Sequence, residues 1–183
     1  MIKVFVDGQA GTTGLKILER LEKRSDVEQI AIDLNLRKDA RARAQCINEA
    51  DVVFLCLPDD AAREAVPLCT NPHTIIIDAS TAHRTQGGWD YGIPELSPIH
   101  RKAIAHSKRI ANPGCYASGF IVPVRPLVAA GLLAPDCPVT VNAISGYSGG
   151  GKKMITQYES RPLDSKLFSP RSYGLNMAHK HLP

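Results

Sequence analysis

Aromatic residues are scarce in this sequence, and it contains no long hydrophobic run. Aromatic side chains make up 5% of the 183 residues, and the net charge of +4 comes from scattered basic residues. Because proteins that bind nucleic acids use aromatic platforms and clustered positive charge, this composition argues against a nucleic-acid partner. A membrane-spanning helix needs about 20 consecutive apolar residues, so we expect no membrane partner either.

Paired cysteines are also missing. No two of the five cysteines form a C-x-x-C pair, and they lie at Cys46, Cys56, Cys69, Cys115 and Cys137. Their odd number and wide spacing predict neither a disulfide framework nor a metal site. Met1 leads directly into a predicted strand, which leaves no room for a secretory signal. We therefore expect a reducing, cytoplasmic location.

The sequence does contain a glycine-rich turn near its start. Residues 2–6 form a β-branched and aromatic run typical of a buried strand, and residues 15–21 carry leucines at helical spacing. The residues between them match a G-x-x-G-x-x-G variant of the dinucleotide-binding fingerprint, at a helix N-terminus that favours phosphate. The cofactor-binding candidates of this turn are Gly8, Gly11, Thr12, Thr13 and Gly14. The alternative is a glycine-rich turn that binds no ligand.

Strands and helices alternate over the first half of the chain. Further strands are predicted over 29–33, 51–57, 74–78 and 108–111, and further helices over 40–48 and 61–69. This alternation predicts an α/β fold with a doubly wound, Rossmann-type parallel sheet. Beyond residue 114 the pattern changes. We expect a dinucleotide-binding domain over 1–114 and part of a second, α+β catalytic domain over 115–183.

Residues after the second and third predicted strands bear on the choice of cofactor. Asp33 ends the second strand, where an acidic residue would bind the adenosine ribose of NAD. Arg37 and Lys38 follow, and basic residues there suit the extra phosphate of NADP. We favour NADP over NAD. Leu57 and Pro58, at the end of the third strand, would border the cofactor.

Cys115 follows the predicted strand 108–111 and an Asn-Pro-Gly turn at 112–114. Helix-compatible residues follow the cysteine, so its thiol would lie at a helix N-terminus. There the free N–H groups and the helix dipole favour a thiolate, which is a capable nucleophile. The alternative is an inert, packed cysteine.

The second half of the chain has weaker periodicity. Residues 119–133 indicate a helix that Pro123 and Pro126 should kink or end early. Residues 139–145 alternate and predict a strand of a different sheet. Residues 146–153 indicate a flexible, cationic loop.

These residues resemble the N-acetyl-gamma-glutamyl-phosphate reductases in their shorter form, a family related to aspartate-semialdehyde dehydrogenase. The matching stretches are VDGQAGTTG (6–14), DASTAHR (78–84), YGIPEL (91–96), ANPGCYASGF (111–120), SGYSGGGKK (145–153) and AHKHLP (178–183). The family reduces N-acetyl-glutamyl 5-phosphate with NADPH, giving the semialdehyde and phosphate in arginine biosynthesis. The resemblance therefore implies a small acyl-phosphate substrate and a homo-oligomer. It also implies that this sequence stops before the family's C-terminal portion.

The resemblance also implies roles for individual residues. Cys115 is the nucleophile, and the N-terminal glycine turn, together with Gly149 and Gly150, takes the cofactor role. The substrate-binding candidates are Ser80, Arg84, Asn112, Ser145 and Gly146.

The reaction needs an acid or base near the sulfur. His179 and His181 are the candidates, and both point the same way only in an extended segment. The residues leave open which of the two acts, or whether both are surface histidines. His83 and His100 are assigned no role.

Two other functions remain open. Gly146 to Gly150 fit the G-x-S-x-G motif of a serine hydrolase, with Ser148 as nucleophile and Asp164 and a histidine later in the chain. That reading leaves the N-terminal glycine turn unexplained. The other is a truncated nucleotide-binding domain without turnover.

Overall fold

The computed structural model describes residues 1–9, 11–172, 175–176 and 178–179. The strands are β1 (Ile2–Asp7), β2 (Val27–Ile30), β3 (Val52–Leu55), β4 (Ile75–Asp78), β5 (Asp90–Tyr91) and β6 (Arg109–Ala111). The helices are α1 (Thr12–Leu21), α2 (Ala40–Glu49), α3 (Asp59–Ala65), α4 (Pro98–His106), α5 (Cys115–Ala129) and α6 (Gly151–Glu159). Short 3₁₀ turns cover 66–68, 94–96, 147–150 and 165–168.

The six strands form one parallel sheet in the order β2-β1-β3-β4-β6-β5. The predicted doubly wound α/β fold is confirmed. The strand order reverses between β1 and β3, and ligands of such sheets bind outside the carboxyl ends at this reversal. Four strands end in one row, where Asp7 pairs with Leu55, Leu55 with Asp78, and Asp78 with Ala111.

The hydrophobic core lies between the central strands and the helices that cross over them. Apolar side chains of β1, β3 and β4 pack against α2 and α3, and the members with no exposed surface are Phe5, Ile47, Val53, Leu55, Ala62, Ala65 and Ile76. Among the described residues, none after Gly114 is buried. The first part of the chain therefore forms a core of its own, whereas residues 115–172 contribute no buried side chain.

Two predicted strands differ from the structure. The second strand spans Val27–Ile30 rather than 29–33, because β1 fixes its register by pairing Ile2 with Val27 and Phe5 with Ile30. Residues 139–145 form no strand, since no described segment pairs with them and every one of them is exposed. A strand needs a neighbour to satisfy its backbone N–H and C=O groups.

Helix formation in the second half is stronger than predicted. Helix α5 runs without interruption through Pro123 and Pro126. Arg125 donates from Nε to the Leu96 carbonyl at 2.7 Å and ties the helix to the 3₁₀ turn at 94–96. Two prolines should interrupt such a helix. It continues through both of them and is held by this tertiary contact. Residues 146–153, predicted to be a loop, instead form a 3₁₀ turn and the first turn of α6.

No helix in the described part of the chain combines the length and hydropathy of a membrane span. The same residues contain no cluster of three or more histidine, cysteine or acidic side chains suited to a metal ion.

Candidate active site

The glycine turn packs tightly against the ends of two strands. Gly8 has a φ of +92°, and a Cβ built there would lie 2.3 Å from the Cys56 carbonyl oxygen at the end of β3. A Cβ on Gly14 would lie 2.5 Å from the Gly8 carbonyl oxygen. Both positions therefore require glycine, because a side chain would collide with backbone atoms. The turn lies where the strand order reverses, at the edge that parallel sheets use for ligands.

The N-terminus of α1 is open to a phosphate group. Gly11 precedes the helix, donates to the Gly8 carbonyl at 3.1 Å, and accepts from the Leu15 N–H at 3.0 Å. The first turn of α1 contains no acidic side chain, and Thr13 is exposed. The positive end of the helix dipole is thus not neutralised by an acidic residue of its own turn. These features fit a dinucleotide.

The remaining cofactor candidates lie around this turn. The Leu57 side chain lies 3.2 Å from the position of a Cβ on Gly8, and exposed Pro58 precedes α3. Asp33 and Arg37 are both exposed beyond β2. The Asp33 carboxylate accepts from the Asn35 N–H at 2.8 Å, so it closes a local turn.

Cys115 is the first residue of α5 and is exposed. Gly114 precedes it, and the Gly114 carbonyl accepts from the Ser118 N–H at 2.9 Å, which begins the helix. The thiol thus lies at the positive end of a helix dipole, as the Asn-Pro-Gly turn predicted. Cys56 differs, because burial raises the pKa of its thiol to about 12. Of these two cysteines, only Cys115 has the exposure that a nucleophile needs.

The turn after β4 carries two of the substrate-binding candidates. Arg84 donates from Nε to the Asn112 carbonyl at 2.9 Å, while its Nη1 is buried and hydrogen bonds to no described residue. Ser80 is buried, and its hydroxyl donates to Asp78 at 2.7 Å. Asn112, a third candidate, is exposed and donates its backbone N–H to the Asp78 carbonyl at 2.8 Å. The structure therefore links the turn after β4 to the segment that leads to Cys115.

A second group of candidates meets around Tyr116, the residue after Cys115. The Tyr116 hydroxyl is hydrogen bonded to Ser145 Oγ, and its ring contacts the His179 ring edge-on at a centroid distance of 5.8 Å. His179 therefore lies against the neighbour of the proposed nucleophile. His181 lies outside the described residues.

The glycines of the 146–150 segment are exposed. Gly146 precedes the 3₁₀ turn at 147–150, which contains Gly149 and Gly150. In the described part of the chain, none of them is hydrogen bonded to the N-terminal glycine turn. Their assignment to cofactor and substrate stays a prediction.

The strand ends relate the two halves of the site. The glycine turn follows β1 and the Cys115 turn follows β6, and both lie at the carboxyl edge of the sheet. Three strand spacings separate them, or about 14 Å. An extended dinucleotide bound along this edge would bridge such a separation.

Sequence reasoning missed a buried polar cluster at the end of β4. His83, which was assigned no role, is 5% exposed and lies 2.6 Å from the Asp78 carboxylate through Nδ1. Its ring stacks on Trp89 at a centroid distance of 4.1 Å. The signal available in the sequence was Asp78, at a predicted strand end and first in the DASTAHR stretch that also contains Ser80 and His83.

The geometry gives little support to the serine-hydrolase alternative. Ser148 lies in the exposed 3₁₀ turn at 147–150 rather than between a strand and a helix. Asp164 accepts from the Lys166 N–H at 3.0 Å and caps its own turn. The strained strand-to-helix elbow typical of such enzymes is not formed here.

Two family models match the chain in order along its length. The model described as semialdehyde dehydrogenase, NAD binding domain, matches residues 31–105. The model described as semialdehyde dehydrogenase, dimerisation domain, matches residues 115–183. The first match supports a nicotinamide dinucleotide as the cofactor.

Solved structures with the same fold are distant in sequence. Aspartate semialdehyde dehydrogenase from Francisella tularensis is 16% identical with a TM-score of 0.63, and the match covers 91% of this chain and 53% of that one. Aspartate semialdehyde dehydrogenase II from Vibrio cholerae is also 16% identical, with a TM-score of 0.61 over 92% of this chain and 53% of that one. These likenesses show the fold alone.

Other relatives are much closer in sequence than these solved structures. The N-acetyl-gamma-glutamyl-phosphate reductase of a Chelativorans species is 55% identical over 99% of this chain, and that of Mesorhizobium japonicum is 54% identical over 99%. The chain spans 58% of the length of each of these relatives. With both domain models matched in order and identity at this level, the chain is similar over 99% of its length to the N-acetyl-gamma-glutamyl-phosphate reductases.

Proposed function

We propose that this chain carries the cofactor site and the nucleophile of an NADPH-dependent reductase in arginine biosynthesis. The reaction converts N-acetyl-glutamyl 5-phosphate to N-acetyl-glutamate 5-semialdehyde and phosphate. The observation that carries the proposal is the position of Cys115, exposed at the start of α5, on the sheet edge that also holds the glycine turn.

The protein's own groups would carry the covalent steps. The Cys115 thiolate attacks the carbonyl carbon of the acyl phosphate, the C–O bond to phosphate breaks, and phosphate leaves with the electron pair. This leaves a thioester on the sulfur. When bound, the reduced nicotinamide supplies a hydride. An acid gives a proton to the carbonyl oxygen as the thiohemiacetal forms. The same group, now a base, takes that proton back as Cys115 leaves as a thiolate and the aldehyde forms.

His179 is the candidate acid or base that the described residues support, because its ring contacts Tyr116 beside the nucleophile. His181 remains the second candidate. A catalytic histidine must reach the reacting oxygen within hydrogen-bond distance or through one water. Replacing each histidine singly by glutamine would separate them, since only the acid or base should change the pH dependence of kcat.

Arg84, Asn112 and the Ser145–Gly146 segment are the proposed contacts for the phosphate and carboxylate groups of the substrate. Arginine suits both groups, because its planar guanidinium donates in a fork. The buried and unpartnered Nη1 of Arg84 supports this assignment. Ser80 is a weaker candidate, since its hydroxyl already bonds Asp78.

We assign the cofactor as NADP because Arg37 and Lys38 lie exposed beyond β2 and suit a 2′-phosphate. We divide the chain into a dinucleotide-binding domain over 1–114 and part of a catalytic domain over 115–183. The absence of buried residues after Gly114 in the described chain supports self-association, as does the description of the matched dimerisation domain. The five free cysteines favour a cytoplasmic location.

A second candidate function is nucleotide binding without turnover. It is consistent with the lack of buried side chains among the described residues 115–172. The test runs the reaction in reverse, with NADP, N-acetyl-glutamate semialdehyde and phosphate, while NADPH affinity is measured separately. Phosphate-dependent NADP reduction supports the reductase. Tight NADPH binding with no reduction would instead establish the second function for this chain.

A further inference from the structure

The carboxylate of Asp78 organises the turn that follows β4. Its Oδ1 accepts from the Ser80 N–H at 2.9 Å, and its Oδ2 accepts from the Ser80 hydroxyl at 2.7 Å and from His83 Nδ1 at 2.6 Å. Asp78 is fully buried, and His83 and Ser80 are nearly so. Because a carboxylate only accepts hydrogen bonds, His83 Nδ1 carries the hydrogen. Buried polar networks with all partners present are rigid.

Further contacts fix this turn from the outside. The His83 ring stacks on Trp89 with an interplanar angle of 13°. On the side of α3, the Thr81 N–H donates to Asp59 at 2.9 Å, and the Thr81 hydroxyl is also hydrogen bonded to that carboxylate. Residues 79–84 are therefore held by Asp78 of β4, by Asp59 of α3 and by Trp89. Arg84 is the last residue of this fixed segment.

Arg84 connects the fixed turn to the segment of Cys115. Its Nε donates to the Asn112 carbonyl at 2.9 Å, and Nη2 lies 3.4 Å from the Ala79 carbonyl. Asn112 precedes the Pro-Gly turn from which Cys115 begins α5. Nη1 is buried and has no partner among the described residues, which is costly for a charged donor and leaves it available to an anion.

We propose that Asp78 and His83 are positioning residues of the reductase. They hold Arg84 so that its Nε fixes the Asn112 carbonyl, which orients the turn of Cys115, and so that its Nη1 faces a phosphate oxyanion. The inference rests on the proposed function and deepens it. Neither residue touches the sulfur in this scheme, because both act through the guanidinium of Arg84.

The first experiment needs no turnover. Cys115 is alkylated with iodoacetamide and followed by peptide mass spectrometry, and Cys137, also exposed, serves as the internal reference. In His83→Phe, which keeps a ring on Trp89 but removes the Nδ1 donor, the Cys115 rate relative to Cys137 should change by about fivefold or more. His83→Asn, whose amide replaces that donor, should return most of the change.

Inorganic phosphate is the probe for Nη1. It should slow Cys115 alkylation in the wild-type chain, more than chloride does at equal ionic strength, and Arg84→Gln and His83→Phe should lose this protection. His73→Phe is the matched control, because His73 is exposed at the opposite end of β4. Emission of Trp89, the only tryptophan, reports whether each variant keeps the stacked cluster.

The kinetic experiment separates this proposal from the reductase function. In the reverse reaction, His83→Phe should raise the KM for phosphate by about tenfold, with His83→Asn closer to wild type. Protection by phosphate that His83→Phe loses, without any turnover, would uphold the positioning role and refute the reductase function for this chain. Turnover with unchanged phosphate KM and unchanged Cys115 alkylation in His83→Phe and Arg84→Gln would overturn the positioning role. If His83→Phe fails to fold, Arg84→Gln decides on the same two readouts.

Discussion

Arg43 of α2 binds Asp7 at the end of β1 through two hydrogen bonds, at 3.0 Å from Nε and 2.8 Å from Nη2. The two side chains are 11% and 5% exposed. Burial raises the pKa of Asp7, while the hydrogen bond and charge of Arg43 lower it. Because Asp7 directly precedes Gly8, this ion pair anchors the glycine turn to α2.

Arg43→Met should destabilise the chain by about 3–5 kcal/mol at neutral pH, since it leaves a buried carboxylate without its partner. Loss of Arg43 removes two influences that lower the pKa of Asp7, so that pKa rises further. Relative to wild type, the penalty is full above the variant's raised folded-state pKa, where Asp7 is ionised in both proteins. It declines as the pH falls below that pKa and is gone below the wild-type folded-state pKa. Denaturant unfolding at a series of pH values measures this dependence. Arg41→Met, at an exposed position of α2, should cost little at any pH, and an equal loss at all pH values for Arg43→Met would contradict the argument.

Gly8→Ala should destabilise the fold by more than about 2 kcal/mol and weaken NADP binding, because it combines a positive φ with a clash against backbone. The Cβ would lie 2.3 Å from the Cys56 carbonyl oxygen. Gly119→Ala is the control, since a Cβ at that helix position meets nothing within 4 Å. It should stabilise α5 by about 0.5–1 kcal/mol. Thermal unfolding measures both, and a Gly8 variant as stable as wild type would rule out the tight turn.

Cys115→Ser should lower the reverse-reaction kcat by about 10⁴-fold or more, because no other group can form the thioester. Ser148→Ala should retain activity, as its hydroxyl has no part in the proposed reaction. Coupled measurement of NADP reduction tests both variants. The opposite result, an active Cys115→Ser and an inactive Ser148→Ala, would contradict the assignment of Cys115 as the nucleophile.

Arg37→Met should weaken NADP binding by about tenfold and leave NAD binding nearly unchanged, because only NADP offers a 2′-phosphate to a charged donor. Arg20→Met, on an exposed position of α1, should change neither affinity. Isothermal titration calorimetry of the two variants with NADP and with NAD measures these four affinities. A parallel loss of both affinities would show that Arg37 does not discriminate between the two cofactors.

The glycine turn and the Cys115 turn could both be read from the sequence, because each depends on local chemistry. A strand followed by glycines, or by Asn-Pro-Gly, restricts the backbone within a few residues, whatever the rest of the chain does. The same local rules failed at Pro123 and Pro126, where α5 continues and Arg125 holds it to the Leu96 carbonyl. They failed again at residues 139–145, where the residues alternate as in a strand but no described strand pairs with them.

The alternation of strands and helices, the glycine positions and the residue at the head of α5 are properties of the local sequence, since they follow from periodicity and backbone restriction. The burial of His83 against Asp78 and Trp89 could not be foreseen from the sequence and is a result of folding. The same holds for the contacts of Arg84 with Asn112 and of Arg43 with Asp7. Such contacts join residues far apart in the chain, and they depend on strand order and register. Those arise from packing of the whole sheet rather than from any local run of residues.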